Sequence, residues 1–233
     1  MKKRESTLVA PVIADHCAEI LRRLPGSEVR LIFDVGANVG LTVNNYLRRF
    51  TSARIIAFEP VGSTYSQLIS RVGASTRVCC INLALGFTPG EHVIHHQKYS
   101  GLNSLHGPIN VPEPACQTSE LVDVTTLDEI VRLNHTGHID LLKLDTEHFD
   151  LEVLHGATKT LTQERIAFIY AEVTFNCGDQ RHTQFTELAH FLECYGFSAL
   201  GFSEHIYDPK LERIDHCNAL FAHHSIRSSL PSR

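Results

Sequence analysis

Seven residues, Asp34-Val35-Gly36-Ala37-Asn38-Val39-Gly40, constrain this chain more than any other stretch. An apolar run, Val29 to Phe33, precedes them, and a helix-like segment, Leu41 to Phe50, follows. That order is strand, glycine turn, helix. It predicts an open α/β sheet whose ligand lies at the carboxyl end of the strands, with free backbone N–H groups at the turn. Gly36 and Gly40 lack a Cβ, so they can take positive φ or admit a ligand against the backbone. The spacing is G-x-x-x-G with an acid two residues before the first glycine. It is not the G-x-G-x-x-G of a dinucleotide fingerprint.

A second apolar run, Ile55 to Phe58, ends in Glu59-Pro60. An acid at the end of a second strand can accept hydrogen bonds from both hydroxyls of a ribose. Asp34 disfavours a phosphate and suits a cation. An adenosine with a positively charged, phosphate-free tail fits both acids, and S-adenosylmethionine answers that description.

The remaining pattern continues the α/β alternation. A helix is expected over Leu8 to Leu24 as an N-terminal cap (residues 1–28), followed by one domain over residues 29–233. Strands are expected at 29–35, 53–59, 76–83, 121–125, 139–144, 166–171, 197–202 and 217–222, and a short one near His92 to Gln97. Helices are expected at 41–50, 63–72, 127–134, 150–161 and 184–195, with Thr126 capping the third of these. Residues 87–119, rich in Pro and Gly, read as an irregular insert. Two final strands with no helix between them predict an antiparallel edge. The expected architecture is a doubly wound, seven-stranded, mostly parallel Rossmann-like sheet with an antiparallel last strand.

The bulk numbers narrow the partners. A net charge of −5 gives no general attraction to nucleic acid or anionic lipid, and no apolar run has membrane-spanning length. Aromatic motifs for a flipped base are absent, so no nucleic-acid partner is expected. Seven scattered cysteines without C-x-x-C read as reduced thiols of a cytoplasmic protein. Adjacent Cys79 and Cys80 read as two core thiols on opposite strand faces. The oligomeric state is open.

Acids then recur at successive strand ends: Asp34, Glu59, Asp145 with Glu147, and Glu172. In a doubly wound sheet the 29–35 and 139–144 strands are neighbours at the switch point. Asp34 and Glu59 would serve the cofactor, and Asp145, Glu147 and His148 would face an acceptor. Methyl transfer to a hydroxyl needs alignment, exclusion of water and a base, and these three are the candidates. Asp145 with Glu147 is also a possible pair of hard ligands for a divalent cation, but no metal is assigned. His92, His95 and His96 do not share one strand face and are not read as a metal cluster.

The chain also resembles the FkbM-type S-adenosylmethionine-dependent methyltransferases. The resemblance rests on Phe33 to Gly40, Ala57-Phe58-Glu59-Pro60, Asn82 to Gly86, Thr126-Leu127-Asp128, and Leu142 to Glu147 continuing to Glu152 to Ala157. It implies a class I methyltransferase fold, S-adenosylmethionine as methyl donor, and O-methylation of a sugar, glycolipid or polyketide-type hydroxyl. By position it implies that Asp34, Gly36, Ala37, Asn38 and Gly40 line the methionine part. Glu59, with Pro60, would bind ribose, and Ala84 and Leu85 would lie near adenine. Ser104 and Asp145 join the cofactor set. One departure stands out: the family usually has glycine where this chain has His148.

Other readings compete. A nicotinamide oxidoreductase lacks its third fingerprint glycine and any Tyr-x-x-x-Lys pair here, and P-loop chemistry lacks Gly-Lys. A non-catalytic domain that kept the fold would be marked by damage to the turn or loss of Glu59, and both are intact. Transfer to nitrogen or carbon is the remaining alternative to transfer to oxygen.

Overall fold

The computed structural model describes residues 13–24, 28–96, 103–105 and 118–229. The first part of the expected Leu8–Leu24 helix, much of the 87–119 insert and the last residues of the tail lie outside them. The main sheet is built from β1 (Leu31–Val35), β2 (Arg54–Phe58), β3 (Val78–Ile81), β7 (Ile139–Leu144), β8 (Ile166–Thr174), β10 (Phe197–Asp208) and β11 (Arg213–His223). Their order is β10-β11-β8-β7-β1-β2-β3, and a two-residue strand, β9 (Thr183–Gln184), pairs with β8 as an eighth member. β1 pairs in parallel with both β2 and β7. The switch point therefore falls between β1 and β7, as the sequence predicts.

The last strand is antiparallel, but it is not the edge. β11 inserts between β8 and β10 and runs antiparallel to both. A return without a helix permits this, because antiparallel neighbours need only a hairpin. The β10–β11 hairpin is also longer than expected, so residues 203–216 form its outer arm rather than a loop. At its tip Asp208 Oδ1 accepts from Lys210 N (2.8 Å).

The helices flank the sheet: α1 (His16–Arg23), α2 (Leu41–Arg49), α3 (Gly62–Val72), α4 (Leu127–Leu133), α5 (Asp150–His155), α6 (Thr158–Thr162) and α7 (Phe185–Glu193). α1 starts late because Asp15 caps it, accepting from Cys17 N (2.9 Å). It packs with Tyr46, Phe168 and Tyr170 in the core on one side of the sheet. The single helix expected over 150–161 is broken at Gly156-Ala157. A Cβ on Gly156 would lie 2.1 Å from the Gly86 carbonyl, so the chain turns there against the Gly86 bend. Asp128 caps the restart from outside, its carboxylate accepting from Lys159 N (3.0 Å) and Thr160 N (2.8 Å). Thr126 caps α4 through Glu129 N (3.1 Å), as expected.

A second, three-stranded sheet of β4 (Ala84–Leu85), β5 (Gly90–His95) and β6 (Ser119–Thr125) covers part of the ligand rim. Part of the expected irregular insert is thus regular. β3 overturns a further expectation. Among the described residues it is the sheet edge, paired only with β2, so Cys79 is exposed and Cys80 half-buried. They are not core thiols. No helix among the described residues is long and apolar enough to cross a membrane.

Candidate active site

At the carboxyl ends of β1, β2, β7 and β8 lies a cavity of about 220 Å³. Gly36, Asn38, Glu59, Pro60, Ala84, Leu85, Asp145 and Glu147 line it, all of them sequence candidates, and so does Glu172. Apolar walls come from Phe58, Val61, Leu83, Ile94, Leu105 and Phe149.

The β1 turn works differently from the expectation. Four of its N–H groups are engaged within the protein. Gly36 N (3.1 Å) and Ala37 N (2.9 Å) both donate to the Phe58 carbonyl, Asn38 N donates to Glu59 Oε2 (2.9 Å), and Gly40 N donates to Ala37 O (2.9 Å). The turn is thereby stitched to β2. Gly36 has φ 77°, and a Cβ there would lie 1.9 Å from the Asp145 carbonyl. Glycine is required on both counts. Ala37 and Gly40 are buried and do not line the cavity. Gly40 starts α2 in the left-handed region, against Leu68.

Glu59 is held by two backbone donors, Asn38 N on Oε2 and Val61 N on Oε1 (3.0 Å). Each oxygen keeps a second lone pair. Glu59 is 6% exposed and lines the cavity. Burial pushes its pKa up to about 7, against the pull of those two N–H groups. Asn82 fixes the bend that follows, donating to the Glu59 (2.9 Å) and Pro60 (2.8 Å) carbonyls.

Asp34 is fully buried and is not on the cavity wall. Its partner is Lys143, whose Nζ sits 3.1 Å from Asp34 Oδ1 and 3.1 Å from Asp145 Oδ2. Lys143 also donates to the Gly36 carbonyl (3.1 Å). Burial opposes the ammonium charge, yet Asp145 and Asp34 outweigh it and hold its pKa above the ordinary lysine value. Burial raises the Asp34 pKa while Lys143 pulls it down. Sequence reading assigned Lys143 no role, although a lysine inside the apolar run of β7 signals a buried counter-charge.

The loop after β7 carries the acids. Asp150 Oδ1 accepts from Thr146 Oγ1 (2.6 Å) and its Oδ2 from Thr183 Oγ1 (2.8 Å), which fixes the loop to β9. Glu147 (φ 51°) and His148 (φ 77°) are both left-handed, a region that costs a side chain roughly 1 kcal/mol or more. A glycine at position 148 would take this conformation without that cost. His148 does not line the cavity. Its Nδ1 donates to the His182 carbonyl (2.9 Å), which anchors the strained residue to the 175–182 loop. Ser104 is also off the wall, 1% exposed, with Oγ donating to the Glu147 carbonyl (3.0 Å). Its neighbours Asn103 and Leu105 line the cavity instead.

Asp145, Glu147 and Glu172 bring carboxylate oxygens within 4.8 Å of one another. Burial, then Asp145 and Glu172, raise the Glu147 pKa to about 9, and its Oε2 is buried without a hydrogen-bond partner among the described residues. Burial and Asp145 raise Glu172 to about 7, opposed by His182. Two histidines stand behind Glu172, His182 from the 175–182 loop and His216 from β11. Sequence reading singles out neither, since they are 10 and 44 positions from Glu172 and join it through β8–β9 pairing for His182 and β8–β11 pairing for His216.

The family model "Methyltransferase FkbM domain" matches residues 34–199, more than half of the chain. Methyltransferase 1 of Beauveria bassiana (strain ARSEF 2860) is 25% identical over 162 residues, covering 62% of this chain and 64% of that protein. Methyltransferase sdnD of Sordaria araneosa is 27% identical over 174 residues, covering 62% of this chain and 66% of that protein. The chain spans less than two thirds of the length of these curated relatives. Among solved structures, the METTL16 MTase domain (crystal form 2) superposes with a TM-score of 0.51 at 10% identity, covering 89% of this chain and 66% of that one. That likeness is one of fold, the class I methyltransferase sheet. With the family model running from Asp34 in β1 into β10, the chain belongs to the FkbM methyltransferase domain family.

Proposed function

We propose that this protein is an S-adenosylmethionine-dependent methyltransferase that acts on a hydroxyl of a small molecule, of the sugar, glycolipid or polyketide type. The observation that carries the reading is Glu59, a buried carboxylate fixed by two backbone donors with one lone pair per oxygen left toward the cavity. That is a receptor for two vicinal hydroxyls, as on a ribose. Val61, Leu83, Leu85 and Ile94 supply the apolar slot for an adenine beside it. The 220 Å³ cavity continues from there to Asp145 and Glu147.

Bound S-adenosylmethionine supplies a methyl group on a positively charged sulfur. The protein's own tasks are to hold the two reactants in line, keep water out and take a proton. Asp145 and Glu147, with Glu172 beside them, form the group of carboxylates that receives the proton from the acceptor hydroxyl. Crowded carboxylates share protons as a unit, so the unit and not one side chain is the base. Asp145, 42% exposed, is its open member, and Glu147, half-buried with Oε2 enclosed, is its inner one.

The test is transfer of labelled methyl from S-adenosylmethionine to a panel of hydroxylated sugars and polyketides, for native protein and Glu147→Gln. Turnover is expected to fall about 10²-fold or more in the variant, with cofactor affinity unchanged. Equal loss of both would make Glu147 a support of the cofactor pocket. Transfer confined to amine acceptors would replace oxygen by nitrogen.

A further inference from the structure

We infer that Glu172, His182 and His216 form a binding site for one divalent cation of the zinc class, on the acceptor side of the cavity. The three residues come from different segments: β8, the 175–182 loop and β11. Their ligand atoms lie within 4.8 Å of one another. His182 Nε2 is 3.5 Å from Glu172 Oε2, and His216 Nε2 is 3.4 Å from Glu172 Oε1. These separations exceed the roughly 2.7–3.2 Å of an N–H···O hydrogen bond. They match the spacing of about 3.3 Å between neighbouring ligands around a tetrahedral ion with bonds of about 2.0–2.1 Å.

The far side of each ring strengthens the assignment. His182 Nδ1 is 2.7 Å from Asp179 Oδ2, and His216 Nδ1 is 3.0 Å from Asp215 Oδ2. A carboxylate on Nδ1 fixes the tautomer, so that Nε2 carries the free lone pair a metal needs. Both imidazoles are set in this way, and both present Nε2 to the same carboxylate. The rings stack with centroids 4.1 Å apart, and His182 is 3% exposed, so little rotamer freedom remains to be lost on binding.

The other His-containing groups among the described residues lack these features. At Asp15-His16-Cys17 the carboxylate caps α1 and pairs with Arg49, and His16 Nε2 is engaged by Cys17 Sγ (3.4 Å). At Glu164-His223-His224 the Nδ1 atoms bond to Ser225 Oγ and the Gly196 carbonyl, and no carboxylate orients either ring.

Two histidines and one carboxylate leave coordination positions open, the pattern of catalytic rather than structural zinc sites. Glu172 also belongs to the carboxylate group with Asp145 and Glu147, so the open positions lie beside the proposed proton acceptors. This role rests on the methyltransferase reading; the site itself does not. An acceptor hydroxyl bound to the cation loses its proton to the Asp145–Glu147 carboxylates. The O–H bond breaks, the electron pair stays on oxygen, and the cation stabilises the alkoxide.

The test strips the full-length protein with chelator and titrates it with Zn²⁺ by calorimetry, then loads Co²⁺ and records its visible spectrum. Native protein is expected to bind one equivalent of Zn²⁺ with micromolar or tighter affinity and to give d–d bands of a four- or five-coordinate site. His216→Ala should weaken Zn²⁺ at least 100-fold and remove the bands. Asp215→Asn, a milder change that guards against misfolding, should weaken it about 10-fold or more. S-adenosylmethionine affinity, measured on the same samples, should hold in both variants. Absence of stoichiometric binding by folded native protein would overturn the proposal, as would binding unaltered by His216→Ala. Zinc binding without cofactor binding would leave the metal site standing and defeat the methyltransferase reading instead.

Discussion

On the β1–β2 side of the cavity Glu59 and the turn are settled by backbone nearby: Glu59 takes N–H bonds from Asn38 and Val61, and the Gly36 and Ala37 amides close on Phe58, while Asp34 beneath them relies on Lys143. On the β7–β8 side Asp145, Glu147 and Glu172 crowd together with one lysine beneath them, and a buried Glu147 oxygen has no hydrogen-bond partner among the described residues. The first side presents a carboxylate fixed in one orientation by two backbone donors. The second stores unsatisfied acceptors, which cost stability unless a proton, a cation or a substrate meets them. On the proposed reading the comparison separates binding from chemistry: recognition is assigned to the carboxylate that the backbone satisfies, reactivity to the crowded carboxylates.

Lys143 joins the two sides, and removing it gives the largest expected effect. Lys143→Met leaves Asp34 buried without its counter-charge and should cost about 3–5 kcal/mol in denaturant unfolding. Adding Asp34→Asn should restore much of the loss. If the single change is neutral, the sides are not coupled through this lysine.

The next effect is one of pH on the satisfied side. Glu59 has its folded pKa raised to about 7 from an ordinary 4.5. The folded state therefore binds more protons than the unfolded state between those values, and the apo protein loses stability as pH rises from 4.5 to 7. Only the ionised carboxylate accepts from two hydroxyls at once. Cofactor affinity should accordingly rise roughly tenfold from pH 6 to pH 8, with proton release on binding. Calorimetry in buffers of different ionisation enthalpy reads both. A flat affinity with no proton release would remove Glu59 from the ribose.

The smallest effect belongs to His148. Its φ of 77° strains a side chain, while its bond to the His182 carbonyl offsets part of that. His148→Gly should change stability by about 1 kcal/mol or less. A 100-fold loss of turnover with stability and cofactor binding intact would restore His148 as a participant in the chemistry.

The same contrast explains what could be read from sequence. The β1 turn, the Glu59-Pro60 end of β2 and the Asp145-x-Glu147 end of β7 are contiguous strings whose spacing reflects backbone geometry, so fold and cavity wall were legible. Asp34 misled, because its sequence position is at the rim while its carboxylate points back to Lys143. The turn's amides misled for a similar reason: a glycine turn shows that donors exist, not that β2 consumes them. His182 and His216 were invisible, since only the pairing of β9 with β8 brings the first to Glu172 and only the insertion of β11 between β8 and β10 brings the second. Cys79 and Cys80 looked like core, but the β3 composition does not say that the sheet stops there.

The central claim is that Glu59 holds the ribose of S-adenosylmethionine in this cavity, and calorimetric titration of native and Glu59→Ala protein tests it most directly. Native protein should bind the cofactor with micromolar affinity and show no binding of NAD. Glu59→Ala should weaken the cofactor by tens of fold, about 2 kcal/mol, while its unfolding transition stays cooperative. Equal affinity in the two proteins, or no binding by folded native protein, would contradict the account.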